Sequence, residues 1–270
     1  MTEGRNKLVH GAMIHLHELY GSRTVLHSLI YNNLFGRYRN SALGFAWNFV
    51  VPLMMICVYY VVFTEIRRSE IPDFIVYVLS AMFPFTFMTQ NLTAGAAAVT
   101  GNSGMVKKMY FPREILILAQ IISSFIIMLI GYITSFILII ATGYSLDPVS
   151  LLFMPLILLL ELIFTTGYTM LFSAANVYCR DVQYILNSIS MVFFFLTPMY
   201  FSADQATGIL STIIWINPFT YYIEALHSAV YFGESPDAGV LLACFLIAFT
   251  ALAVGYAVFR RLKRGFAERL

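Results

Sequence analysis

Side chains that could do chemistry are scarce in this chain, and those present stand alone. Glu161 is the only charged residue deep inside a long apolar stretch. A carboxylate inside a membrane is costly and is a functional candidate by default. The competing reading is a protonated or hydrogen-bonded glutamate at a helix contact, with Thr165 and Thr166 one turn away. Both readings stand at this point. Cys57 and Cys244 lie in apolar runs and Cys179 sits beside Arg180 and Asp181. None has metal-ligand spacing, so all three read as free thiols. No G-x-x-x-x-G-K-[ST] segment occurs, so the chain has no P-loop for ATP; Gly101 to Lys108 has glycines and lysines at the wrong spacing and no preceding strand. H-E-x-x-H and G-x-S-x-G are also absent. The sequence therefore predicts no catalytic residue, metal or cofactor in this chain.

The elements that must position these residues follow from composition. Of 270 residues, 60% are hydrophobic and 11% charged, against about 25% charged in soluble domains. Mean hydropathy is +0.79. These values exclude a disordered chain, a nucleic-acid-binding domain and an ordinary cytosolic enzyme, and predict an all-α integral membrane protein. Apolar stretches lie at 45–63, 74–99, 115–142, 149–175, 182–202 and 239–259. One crossing takes about 20 residues, and backbone in lipid must satisfy its own hydrogen bonds as helix. Six transmembrane helices are expected. A further stretch, Gln205 to Ile223, is broken by Asn217-Pro218, because the residue before proline is pushed out of the α region. It reads as a re-entrant helical hairpin, within 205–232, between helices five and six.

Charge supports that count. With an inside N-terminus and six crossings, inside segments hold 14 of the 16 basic residues, leaving Arg67 and Arg68 outside. This fits the positive-inside rule, with both termini cytoplasmic. The outer segments are acidic. Residues 22–38 carry Val25, Leu26, Leu29, Ile30, Leu34 and Phe35 near helical spacing and predict an amphipathic helix in the cytoplasmic interface. The tail, 260–270, clusters Arg260, Arg261, Lys263 and Arg264, which suits topology anchoring and contact with anionic membrane lipids. The first 30 residues hold no continuous apolar run, so no cleaved signal peptide is expected. One transmembrane domain, 1–270, is expected, with its helical bundle at 45–259. Aromatic residues make up 16% of the chain. Interfacial belts and core packing explain most of them. Rings can also stack on sugar C–H faces and line a slot without trapping a glycan.

Four motifs give the chain a likeness. Arg37-Tyr38-Arg39-Asn40-Ser41-Ala42-Leu43-Gly44-Phe45-Ala46-Trp47, followed by Pro52, resembles the entry to the first helix of ABC-2-type permeases, above all those exporting O-antigen, capsule and teichoic acid. Lys107 to Glu114 resembles their cytoplasmic K-x-x-F-P-R-E loop. Cys179-Arg180-Asp181-Val182 leading to Leu196-Thr197-Pro198-Met199 resembles their R-D…S-P fifth helix. Asn217-Pro218-Phe219-Thr220 with Glu224 resembles their N-P-x-T…E hairpin. The resemblance covers roughly residues 20 to 262. His227 stands where the family has arginine after the hairpin glutamate, which would make a contact with Glu224 pH-dependent. Thr197 replaces the usual serine.

The resemblance implies a homodimer joined to two copies of a separate ATP-binding cassette subunit, which carries ATP and Mg. It implies a translocation path between the copies, along helices one, two and five, with Tyr59, Phe63, Phe87, Phe194, Tyr200 and Tyr221 lining it. Arg37, Arg39, Lys107, Lys108 and Arg113 would contact the ATPase. Arg180, Asp181, Asn217, Pro218 and Glu224 would serve gating or structure. The cargo would be a lipid-linked polysaccharide or teichoic acid crossing the cytoplasmic membrane. An ABC-2 exporter of small drugs or lipids is one alternative. A polytopic enzyme acting on lipid-linked sugars is another, and would need outer carboxylates such as Asp73, Asp147 and Asp204.

Overall fold

The computed structural model describes residues 21–36, 41–62 and 71–270. Arg37, Arg39 and Phe63 lie outside the described residues, as does the N-terminal segment 1–20. Every regular element among the described residues is helical. In chain order these are α1 (Arg23–Phe35), α2 (Trp47–Tyr60), α3 (Phe74–Thr93), the short α4 (Ser103–Lys108), α5 (Glu114–Ala141), α6 (Met154–Tyr178), α7 (Asp181–Leu196), α8 (Ile209–Ile216), α9 (Pro218–Leu226), α10 (Ala238–Leu262) and the short α11 (Phe266–Arg269).

Among the described residues, four segments are long and apolar enough to cross a membrane: Phe74–Thr93, Glu114–Ala141, Ser150–Tyr178 and Ala238–Gly265. The other two stretches expected to cross form shorter helices, α2 with 14 residues and α7 with 16. Proline explains the end of α7. Thr197 precedes Pro198 and takes an extended conformation, φ −90° and ψ 131°. The stretch 205–223 breaks where expected. Asn217 is extended between α8 and α9, and Pro218 opens α9, where its missing N–H costs nothing.

α3 is the post around which the bundle is built. Most of its residues are buried, and it packs against α5, α6, α7 and α9. Helices in lipid gain little from hydrophobic burial against each other, so close approach and buried hydrogen bonds must hold them. Both are present. Tyr132 of α5 donates to the Ser80 carbonyl at 2.7 Å, and Tyr168 of α6 donates to the Met88 carbonyl at 2.6 Å. Ser124 of α5 donates to Asn91 Oδ1 at 3.0 Å. α6 and α10 pack along each other and cross where Gly167 faces Gly255. A Cβ on Gly255 would collide with the Gly167 carbonyl.

The surface of the bundle is apolar. Ile133, Ile137 and Ile140 of α5, Leu156 and Leu159 of α6, and Leu242, Phe245 and Leu246 of α10 are exposed. α1, expected as an interfacial helix, packs one face on the bundle: Leu29 is buried, with Val25, Leu26 and Ile30 packed on the core. That face lies against α5, where Ser123 Oγ donates to the Ile30 carbonyl at 3.4 Å. Phe35, expected on the same face, is exposed.

Candidate functional site

The fold sorts charge to two ends. One end gathers Lys107, Lys108, Arg113, Arg180 and the tail cations. The loops at the other end hold Asp73, Asp147, Glu234 and Asp237 and are tied together. Tyr231 Oη donates to the Pro72 carbonyl at 2.7 Å, Tyr144 Oη to the Tyr231 carbonyl, and Ser150 Oγ to the Ala229 carbonyl at 2.8 Å.

At the basic end α4 exposes its last turn. Val106 is its buried anchor, while Lys107 and Lys108 are exposed in its last turn, where the helix dipole favours cations. Met109 is exposed and Tyr110 almost wholly so, at 97%. The chain then turns through Phe111 and Pro112 into α5. Arg113 is half-buried. Glu114 opens α5 as expected, but it does more than suit the dipole: it is 2% exposed and forms an ion pair with Lys263. Lys263 is therefore engaged in the protein and not free for lipid headgroups. Around this pair lies a cleft of about 380 Å³ between the start of α1, Tyr110 to Glu114, and Lys263.

The tail, expected only as a basic anchor, is a packed foot. Phe266 is fully buried and meets the Phe259 ring edge-on at 5.4 Å. Tyr178 Oη donates to the Leu262 carbonyl at 3.0 Å, and Arg269 lies over the Tyr178 ring. The spacing Phe259, Leu262, Phe266 and Leu270 continues the helical period and was the sequence signal for this foot. Nearby, Asp181 is exposed in the first turn of α7 and Arg180 is exposed beside it.

Toward the acidic end the break between α8 and α9 is bonded to the turn that follows α7. Asn217 is buried; its Oδ1 accepts from the Phe219 amide at 3.0 Å, capping α9, and its Nδ2 donates to Thr197 Oγ1 at 2.8 Å. The threonine at this position keeps the hydroxyl that the bond needs. From α3, Tyr77 Oη donates to the Pro198 carbonyl at 3.1 Å and the Phe201 carbonyl at 2.9 Å. Two motifs far apart in sequence thus meet at one junction.

The expected contact between Glu224 and His227 does not form. His227 is fully buried, its ring centroid is 3.8 Å from that of Tyr77, and both ring nitrogens lack a hydrogen-bond partner. Being buried without an acceptor, the ring is held neutral and is no titrating switch. Glu224 is half-buried, and burial with the Asp204 carboxylate nearby pushes its carboxyl up to about 7.

The aromatic residues divide. Phe87 is 2% exposed, with its ring edge-on to Phe125 at 5.5 Å, so it packs the interior of the chain and lines no open surface there. Phe194 and Tyr200 are half-buried with ring centroids 5.2 Å apart, joined by Phe195 and Phe85. Tyr221 is half-buried, and its hydroxyl donates to the Trp215 carbonyl at 3.0 Å. Tyr59 lies near the end of α2. The outer carboxylates do not converge. Asp147 caps its own turn by accepting from the Ser150 amide at 2.8 Å, and Asp237 caps α10. No cluster of three or more His, Cys, Asp or Glu that could hold a metal exists among the described residues.

The bundle thus combines exposed lysines at one end, a proline break between α8 and α9, and an apolar outer surface. The sequence model of the ABC-2 type transporter family matches residues 24–231. The chain belongs to the ABC-2 type transporter family. This ABC-2 permease is 29% identical over 258 residues to the O-antigen export system permease protein RfbA of Myxococcus xanthus, covering 94% of the chain and 98% of that protein. It is 27% identical over 238 residues to an RfbA of Klebsiella pneumoniae, covering 87% and 90%. It is 22% identical over 269 residues to the capsule polysaccharide export inner-membrane protein CtrC of Neisseria meningitidis, covering 93% and 95%. The likeness therefore lies with polysaccharide export permeases.

Proposed function

We propose that this chain is the membrane subunit of an exporter that moves a lipid-linked polysaccharide across the cytoplasmic membrane, driven by ATP hydrolysis on a separate cassette subunit. The observation that carries this is the basic end: Lys107 and Lys108 are exposed in the last turn of α4, which Val106 anchors, and Met109 and Tyr110 are exposed just after it, ahead of the Glu114–Lys263 pair at the start of α5. An exposed cationic turn anchored on the bundle is what a motor outside the membrane would need in order to push on a chain whose sequence holds no P-loop. Arg113, half-buried at the start of α5, belongs to the same contact in this reading.

In this reading the chain crosses six times, α2 and α7 completing their crossings with the residues that flank them. α8 and α9 form a hairpin that enters from the outer side and returns, with Asn217 and Pro218 at its apex. α8 is eight residues long, a rise of about 12 Å, and its Ile209, Leu210 and Ile216 are exposed, as a lipid-embedded half-helix would have them. Both termini are cytoplasmic, which the distribution of basic residues supports.

Two copies pair, with the path between them and two cassette subunits beneath. α7 supports this: Tyr184, Ile185, Met191, Val192 and Phe195 are exposed, although α7 is the fifth crossing and lies against the central α3. Phe194, Tyr200 and Tyr221 would line the outer half of the path. Arg180 and Asp181, in the short turn into α7, would pass motion from the cassette to it. The direct test is reconstitution of the permease with its ATPase in vesicles carrying lipid-linked polysaccharide. ATP-dependent appearance of the glycan in the opposite leaflet supports the reading; translocation that is indifferent to ATP and to the ATPase refutes it.

A further inference from the structure

α3 ends at Thr93, yet the chain stays in the bundle beyond it. Residues 94–99 run on as turns into one tight helical turn, Thr100–Asn102, which opens directly into α4. Main-chain bonding along this root of α4 changes step. Ala97 and Gly101 donate four residues back, to Thr93 at 3.4 Å and to Ala97 at 2.8 Å. Ala98 and Asn102 donate three residues back, to Gly95 at 3.1 Å and to Val99 at 3.2 Å. A ladder that changes step leaves carbonyls for other donors and marks a place where a helix can bend.

Side chains take up those carbonyls. Thr100 Oγ1 donates to the Ala97 carbonyl at 3.2 Å, and Asn102 Nδ2 to the Ala98 carbonyl at 2.8 Å. The Ala96 carbonyl is served from another helix. Asn176 Nδ2 of α6 donates to it at 3.1 Å and to Thr100 Oγ1 at 3.2 Å. A carbonyl only accepts, so the amide nitrogen of Asn176 must face it. The root and α6 also approach closely one residue earlier: a Cβ on Gly95 would lie 2.6 Å from Thr169 Cγ2.

Asn176 is 1% exposed, and its Oδ1 meets no donor. A buried amide with one atom unsatisfied is a poor choice for packing alone, since an apolar side chain of the same shape avoids that cost. What Asn176 supplies is a tie between two places. It sits in the last turn of α6, just ahead of the exposed Arg180 and Asp181. The root that it holds leads to the exposed Lys107 and Lys108.

We propose that Asn176 is a positioning residue that latches the root of α4 to the last turn of α6, so that a push on α4 carries the Arg180–Asp181 turn with it. The changed step lets the root bend away from α3, and Asn176 keeps it on α6. The coupling role rests on the reading of α4 as the motor contact; the latch itself does not.

The latch is tested by hydrogen exchange with mass spectrometry on the purified permease in lipid nanodiscs, wild type against Asn176→Leu, which is similar in size and has no donor. Exchange across 96–102 should rise about fivefold, the loss of one net hydrogen bond, while 77–90 in α3 stays as in the wild type. Unchanged exchange at 96–102 overturns the latch. An equal rise throughout α3 and α6 also overturns it, because general packing would then be the cause. Should Asn176→Leu fail to fold, Thr100→Val, which removes the hydroxyl that accepts from Asn176, carries the same comparison. Coupling is read after reconstitution with the ATPase and lipid-linked polysaccharide. Asn176→Leu should keep the ATPase bound and hydrolysing but export less glycan per ATP. A wild type that exports nothing with ATP refutes the export reading and the coupling role together. A wild type that exports, beside a variant that exports as much per ATP, refutes the coupling role alone.

Discussion

α6 with α10, and α7 with its surroundings, are helices of one bundle held in opposite ways. α6 and α10 touch backbone to backbone at Gly167 and Gly255, with Ala248 and Cys244 buried along the same seam. α7 buries only Leu186 and presents Tyr184, Ile185, Met191, Val192 and Phe195 to the outside. The first pair has no space left for adjustment. The second has contacts still to make. Rigidity is thus placed within the chain, and the unfilled surface lies along the helix that the proposed dimer needs at its centre.

The largest expected effect comes from breaking the tight seam. Gly255→Leu puts a side chain where the Gly167 carbonyl lies and should cost about 3 kcal/mol or more. The expected outcome is loss of the monodisperse peak in size-exclusion chromatography. Met191→Ala on the open face should leave that peak and the melting temperature near wild type. If the two substitutions were equally harmful, the contrast would collapse.

Next in size is the junction at Asn217. Asn217→Ala removes a helix cap and the bond to Thr197, and should cost about 1–2 kcal/mol, read as a lower melting temperature. Pro218→Ala should let α8 and α9 straighten toward one helix and should abolish export more than it lowers stability; wild-type export would make the break incidental.

Replacing Lys107 and Lys108 with Glu should leave melting unchanged, because both are exposed, and should weaken recovery of the ATPase on purification. Unchanged recovery would remove them from the contact.

The smallest effect concerns pH. Glu224 titrates higher in the fold than when unfolded, so the folded state binds more protons and loses stability as pH rises from the ordinary 4.5 toward about 7. Glu224→Gln should flatten that slope in a melting-temperature series, leaving the acidic limb unchanged. A slope identical to wild type would mean that Glu224 is not the group responsible.

What could be read in the sequence was what depends on local pattern. The apolar runs placed α3, α5, α6 and α10 to within a few residues, and Asn217-Pro218 marked a break that is there, because proline geometry and capping act between neighbours in the chain. The four motifs carried the family. Long-range partners were not legible. Nothing in Glu114 says that Lys263 will meet it, and nothing in Thr197 says that Asn217 will, since both pairings depend on how the helices cross. The same holds for Phe87, whose aromatic character suggested a lining and whose position makes it core. His227 was weighed against its neighbour Glu224 in sequence, when its contact is Tyr77 on another helix. The foot at Phe266 had a periodic signal, but a run of basic residues masked it.

The measurement that tests the central claim most directly is purification of the tagged chain from its own host in mild detergent, with mass spectrometry of what comes with it. The account predicts a P-loop ATPase in equal amount, in a complex with two copies of each chain. A folded, dimeric chain that is recovered without any ATPase would contradict it.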